Sequence, residues 1–163
     1  MAPILSLREI EKLRPQLNDV VLIGGVFDII HGGHIDHFKE AKSLGKTLIV
    51  HVTSDKRVKI KKGANRPIFS QDERAKIVAA MRYVDYVFID DMPHYDTSLL
   101  EIVRPDVLFL NHEAVSEQIK NYLEGIKPSV KVVVSSSPKI NTSSKIMQKI
   151  QSAAEQKTRA SVY

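Results

Sequence analysis

Two histidines, His31 and His34, stand three residues apart in the stretch Gly24-Gly25-Val26-Phe27-Asp28-Ile29-Ile30-His31-Gly32-Gly33-His34. The stretch leaves an apolar run, contains glycines that let a backbone approach a ligand, and opens a segment of helical spacing. The start of a helix is an anion site, because its first N–H groups lack partners and its dipole is positive there. Two imidazoles at such a place can donate hydrogen bonds to phosphate oxygens and stabilise charge that builds during phosphoryl transfer. His37 extends the series and raises a metal site as an alternative. At about 100° per residue the three side chains fan around a helix instead of converging, and no carboxylate triad stands nearby to complete a ligand set. A second group is basic: Lys56, Arg57, Lys59, Lys61, Lys62 and Arg66 crowd into one segment, read as a loop. It has no aromatic side chain, so the stacking platform of a single-strand nucleic-acid site is missing. A short basic loop suits a compact polyphosphate.

These residues must be positioned by an alternation of strand and helix signals. Buried, β-branched runs at 20–27, 47–53, 84–89, 107–110 and 130–134 predict five strands. Helical spacing covers 35–44, ended by Gly45 as a left-handed cap. A helix starts at Ser70, where Glu73 completes a capping-box spacing. Further helices are predicted at 97–103, before the Arg104-Pro105 break, at 115–123 before Gly125, and from Thr142 or Ser143 to about Ala154. Residues 7–17 make a leading helix. The expected organisation is an N-terminal helical arm at 1–17, one α/β domain at 18–154 and a polar, frayed tail at 155–163. Such alternation implies a doubly wound parallel sheet with helices on both faces. Ligands bind such sheets at the carboxyl ends of the strands, which directs attention to the loops after Phe27, Thr53 and Leu110.

Composition narrows the classes. A chain of 163 residues suits a single domain with a real core. With no cysteine, a disulfide framework, a thiolate metal site and a cysteine nucleophile are all excluded. The net charge of +5 fits anionic ligands. Residues 1–10 do not form a signal peptide, and no run approaches the roughly 20 apolar residues of a membrane helix. The expected location is cytoplasmic.

The segment Gly25-Val26-Phe27-Asp28-x-x-His31-x-Gly33-His34 resembles the signature of the cytidylyltransferase-like nucleotidyltransferase superfamily. Other pieces fall in register with it. Lys62-Gly63 followed by Arg66-Pro67-Ile68 looks like the triphosphate-binding loop, and Glu73-Arg74 matches an arginine at the start of the next helix. Tyr83-Val84-Asp85 and Arg104-Pro105-Asp106-Val107-Leu108 resemble the approaches to the third and fourth strands. Asn141-Thr142-Ser143-Ser144-Lys145-Ile146 resembles the hydroxyl-rich final motif. The likeness covers roughly residues 18–150 and is strongest to the adenylyltransferase domain that makes ADP-heptose from heptose 1-phosphate. Glycerol-3-phosphate cytidylyltransferase is similar around residues 82–85, and archaeal-type FMN adenylyltransferases share the first motif. Two departures stand out. Asn111-His112-Glu113 replaces a usual glycine-and-aspartate turn, and Ser135-Ser136-Ser137-Pro138-Lys139 replaces a segment that carries an arginine in cytidylyltransferases.

The resemblance implies transfer of a nucleoside monophosphate from ATP or CTP to a phosphorylated small molecule, with release of pyrophosphate. The acceptor phosphate is already anionic, so catalysis reduces to positioning and charge stabilisation. In that scheme His31, His34 and Lys62 are catalytic. Gly25, Val26, Phe27, Gly33, Lys59, Arg74, Thr142 and Ser143 bind the nucleotide. Asp28 fixes the loop or contacts the acceptor, and Asn111, His112 and Glu113 meet the acceptor, expected to be a sugar or polyol phosphate. Mg²⁺ travels with the triphosphate, and no residue is assigned as a resident metal ligand. The expected assembly is a homodimer, without nucleic acid or membrane. The alternatives are an FMN adenylyltransferase and a non-catalytic nucleotide-binding regulator.

Overall fold

The computed structural model describes residues 1–93, 95–111, 130–136 and 142–160. In chain order these form β1 (Ile4–Leu5), α1 (Leu7–Leu13), β2 (Val20–Gly25), α2 (Gly32–Lys42), β3 (Thr47–Thr53), α3 (Asp55–Lys62), α4 (Gln71–Ala79), β4 (Tyr86–Asp90), α5 (Thr97–Val103), β5 (Val107–Leu110), β6 (Lys131–Val134) and α6 (Ser143–Ala160). The helix expected at 115–123 lies outside the described residues.

The sheet has six strands in the order β1-β4-β3-β2-β5-β6, every neighbouring pair parallel. From β2 the chain moves outward to β3 and β4, then crosses back to β5 and β6 on the other side. The order therefore reverses beside β2, which is where a doubly wound sheet places ligands. Strand alternation sorts the core into two layers. Val21, Ile23, Leu48, Val50, Val52 and Phe109 face α2 and α4. Val20, Leu22, Ile49, Leu108 and Leu110 face α1 and α5. Both faces are covered, so the strands read as continuous apolar runs rather than as a polar–apolar alternation.

Five expectations need correction. The sheet has six strands where five were expected, because Ile4 and Leu5 pair with Val87 and Phe88 at the outer edge of β4. Two residues carry too little periodicity to announce a strand. The leading segment is consequently part of the body. The Arg14 guanidinium donates to the carbonyls of Leu17, Val103 and Arg104 and pairs with Asp106 at 3.1 Å, joining α1 to the end of α5. The basic segment is the helix α3, capped by Ser54 and ended by Gly63 at φ 91°. Three lysines in its last turn complement the negative end of the helix dipole, a pattern equally expected of a solvated loop. The last helix continues to Ala160, beyond the frayed start expected at 155.

Gly45 is not a left-handed cap either: the positive-φ glycine of the described chain is Gly63. A Cβ on Gly45 would lie 2.2 Å from the Asp19 carbonyl oxygen and 2.8 Å from Val21 Cγ2. The residue is required by close approach of backbone to backbone, not by conformation. Gly45→Ala is expected to lower the unfolding free energy by about 1–3 kcal/mol through forced backbone displacement, read from the urea midpoint. An unchanged midpoint would contradict this account.

Candidate active site

The loop that carries the motif runs from Gly25 at the end of β2 to Gly32 at the start of α2. Its shape is set by Phe27, a left-handed residue at φ 52° whose ring is buried against Phe38 at a centroid distance of 5.3 Å. A Cβ on Gly25 would stand 2.8 Å from the Phe27 ring, so that glycine makes room for the plug. Val26 turns its carbonyl to Arg74. His34 meets the edge of the Phe27 ring at 5.5 Å and stacks on His31 at 3.9 Å. Gly33 allows this stack: a Cβ there would crowd His31 Nδ1 at 3.2 Å. The His31 backbone N–H donates to His34 Nδ1 at 3.4 Å. A neutral imidazole that accepts at Nδ1 carries its proton on Nε2. This tautomer makes His34 a donor through its outer nitrogen, at the positive end of α2.

A second helix starts at the same loop. Ser143 Oγ, at the beginning of α6, donates to the Ile29 carbonyl at 3.2 Å. Thr142 Oγ1 accepts from the Lys145 N–H at 3.0 Å. The starts of α2 and α6 thus lie on one loop, and two positive helix ends share one neighbourhood.

Asp28 is spent inside the protein. Its carboxylate, 1% exposed, pairs with Arg66 at 2.5 Å and accepts the N–H groups of Ile68 and Phe69 at 2.8 and 3.0 Å. Arg66 also reaches Met147 of α6. The buried pair therefore fastens residues 66–69 and α6 to the motif loop. Of the two roles expected for Asp28, this placement gives fixation of the loop; contact with the acceptor does not fit it.

Arg74 is likewise turned inward. It has no exposed surface, and its guanidinium donates to the carbonyls of Val26, Thr53 and Phe69 and pairs with Asp55 at 2.7 Å. It knits together the loops after β2 and β3 and the entry to α4. The expected nucleotide contact from Arg74 does not fit this burial. Lys59 and Lys62 lie on the exposed last turn of α3, which leads through Gly63 to the segment held by Asp28. Lys56, at the other end of α3, pairs with Asp91 at 3.2 Å. The hydrogen bond from the Ser54 hydroxyl, and after it that from Lys56, hold the Asp91 carboxyl below its ordinary value. Asn111 is exposed at the end of β5; His112 and Glu113 lie outside the described residues.

Sequence reasoning did not foresee the Asp28–Arg66 pair, the inward role of Arg74, or the contacts of His37 and Glu40. His37 stacks on Phe109 at 4.8 Å. Burial lowers its pKa to about 4, against a smaller opposing effect of Glu40. Among the described residues it joins no group of three His, Asp or Glu side chains that could hold a metal ion. His51 stacks on Phe88 at 5.0 Å and is held below its ordinary value chiefly by burial.

Residues 22–159 match the family model described as Cytidylyltransferase-like. The chain belongs to the cytidylyltransferase-like family. Its resemblance to nucleotidyltransferases, read first from the histidine motif, therefore holds over most of the chain. Among curated relatives, it is 41% identical over 115 residues to an FAD synthase of Pyrococcus horikoshii, covering 69% of this chain and 77% of the relative. It is 36% identical over 135 residues to the bifunctional protein HldE of Aliarcobacter butzleri, covering 76% of this chain. The match spans 28% of that relative's length. A solved lipopolysaccharide core biosynthesis protein of Thermoplasma volcanium superposes with a TM-score of 0.61 at 31% identity, over 75% of this chain and 99% of the other. A pantoate-beta-alanine ligase of Francisella tularensis shares the fold alone, at 16% identity and a TM-score of 0.64 over 83% of this chain and 67% of that one.

Two outcomes are expected of this cytidylyltransferase-like site. Asp28→Asn removes the charge that compensates a buried Arg66, and should cost about 3–5 kcal/mol of stability. A loss below about 1 kcal/mol in chemical denaturation would show that the pair does not anchor the loop. The second concerns pH. His37 stays neutral in the folded protein until about pH 4, whereas the unfolded chain takes up the proton near pH 6.5. Between those values the unfolded state binds more protons, so stability falls as pH falls. The slope is at most about 1.4 kcal/mol per unit from this group. His37→Phe keeps the stack and should flatten melting temperature against pH between 6.5 and 4. An unaltered slope would sink the assignment.

Proposed function

We propose that the protein is a nucleotidyltransferase that moves an adenylyl group from ATP to a phosphorylated small molecule. The observation that carries the reading is the convergence of His31, His34 and the starts of α2 and α6 on one loop at the sheet's switch point. Such a place offers N–H donors and positive helix ends to a polyphosphate, with no nucleophile of its own. The acceptor's phosphate oxygen attacks the α-phosphorus in line. A new oxygen–phosphorus bond forms, the bond to the bridging α–β oxygen breaks, and pyrophosphate leaves with that electron pair. The acceptor oxygen is already anionic, so no general base is required. His34 Nε2–H and His31 stabilise charge on the phosphoryl oxygens. Lys62, with Lys59, neutralises the leaving pyrophosphate, while Thr142 and Ser143 meet the β- and γ-oxygens. Gly25, Val26, Phe27 and Gly33 shape the loop around the nucleotide.

Mg²⁺ enters as part of the substrate. The described residues present no group of three His, Asp or Glu side chains suited to a resident ion, and the Asp28 carboxylate is occupied by Arg66. The magnesium–triphosphate complex fits this donor set.

ATP is favoured over CTP by the motif resemblance to the ADP-heptose-forming domain and by similarity to a protein named FAD synthase. A sugar or polyol phosphate is the proposed acceptor, since Asn111, His112 and Glu113 suit hydroxyl groups. The FAD synthase similarity supports FMN as a second reading. Pyrophosphate release with MgATP or MgCTP, in the presence of heptose 1-phosphate, glycerol 3-phosphate or FMN, separates these outcomes. Release with MgATP and the sugar phosphate is the expected result. Turnover of FMN alone would replace the acceptor, and release with none of them would leave a nucleotide-binding regulator. In the active combination, His34→Ala should lower kcat by about a hundredfold with a smaller change in nucleotide affinity. Turnover close to wild type would remove His34 from the mechanism.

A further inference from the structure

Glu40 sits in the last turn of α2, six residues beyond His34. A carboxylate there faces the negative end of the helix dipole and is locally unfavourable. Its contacts lie elsewhere in the fold. It accepts from Ser135 Oγ at 2.6 Å, from the Ser136 N–H at 3.2 Å and from Ser136 Oγ at 3.3 Å. Ser135 is 6% exposed and gives its own N–H to the Leu110 carbonyl at 2.8 Å. The chain leaving β6 is thus held by both β5 and α2. Ser143, seven residues after Ser136, is held by Ile29. Both ends of the connection from β6 to α6 are therefore fastened to one short segment, residues 29–40, which also carries His31 and His34.

We infer that Glu40 is a positioning residue: by binding Ser135 and Ser136 it fixes the entry to the β6–α6 connection, so that Thr142 and Ser143 are presented to the nucleoside triphosphate in register with the histidines. The inference rests on the nucleotidyltransferase reading above. Hydrogen bonds to a charged acceptor are among the stronger ones in proteins. Anchoring both ends of a short connection meets its closure entropy before the ligand arrives, instead of at its expense. Ser135 and Ser136, which begin the segment that carries an arginine in cytidylyltransferases, supply the donors to Glu40. The effect should fall on the triphosphate and not on the attacking acceptor, because the anchored residues face the β- and γ-oxygens.

The test compares Glu40→Ala and Glu40→Gln by steady-state kinetics, equilibrium binding of MgATP and thermal melting. Glu40→Ala should raise the KM and Kd for MgATP about 10-fold or more, with kcat within roughly threefold and the acceptor KM unchanged. Glu40→Gln should restore most of the affinity, since its amide oxygen still accepts from the Ser136 N–H. Unchanged MgATP binding in Glu40→Ala overturns the inference. So does a loss of kcat, affinity and melting temperature together that Glu40→Gln does not rescue, because that pattern is a simple structural defect. If Glu40→Ala does not fold, Ser136→Ala removes one donor only and carries the same comparison with a smaller rise in KM. Wild-type protein that binds no MgATP would defeat the nucleotidyltransferase reading itself. Wild-type binding matched by the variant defeats only the role of Glu40.

Discussion

The buried carboxylate of Asp28 is the constraint on which the site depends. A charge removed from water must be compensated, and here one guanidinium and two backbone N–H groups do so. The compensation is geometric as well as electrostatic. Arg66, Ile68 and Phe69 come from a segment about 40 residues away, and through Met147 the same arginine touches α6. One carboxylate therefore sets three parts of the chain against each other: the histidine loop, the approach to α4 and the final helix.

Arg74 repeats the principle with the sign reversed. It is a fully buried cation whose donors go mainly to carbonyls at loop ends, with one carboxylate to balance its charge. Loop carbonyls leave the sheet without ladder partners and need donors wherever water is excluded. A single guanidinium satisfies three of them in a fixed fork. Arg14 serves the end of α5 in the same way, at the opposite side of the molecule. Three arginines thus act as fasteners. Lys59 and Lys62, on the exposed last turn of α3, carry compact and strongly hydrated charges that suit a mobile anionic ligand.

This division of labour agrees with the chemistry proposed for the site. A reaction whose nucleophile is already ionised asks the protein for fixed donors and fixed distances. Small movements of the histidine loop relative to α6 would separate the two helix starts that are proposed to meet the phosphates. Burying the fasteners keeps their bonds from being exchanged for bonds to water, which is why charged residues in the interior are tolerated here.

The sequence by itself determined the alternating α/β architecture, the strand–loop–helix setting of His31 and His34, and the capping box of Ser70 and Glu73. Each depends on neighbours within a few residues, where hydrophobic period, glycine placement and cap chemistry act directly on the backbone. The same local rules misjudged Gly45, whose need for a bare Cα comes from the Asp19 carbonyl before the neighbouring strand β2. They also missed β1, because a two-residue edge strand exists only through pairing with β4. For Asp28 and Arg74 the sequence motif supplied the residue types but left their direction open. A charged side chain beside a site can point to a ligand or to its own protein, and its nearest neighbours in sequence are alike in both cases. Only the tertiary structure decided that these two turn inward, because the partners that compensate their charges arrive from distant segments.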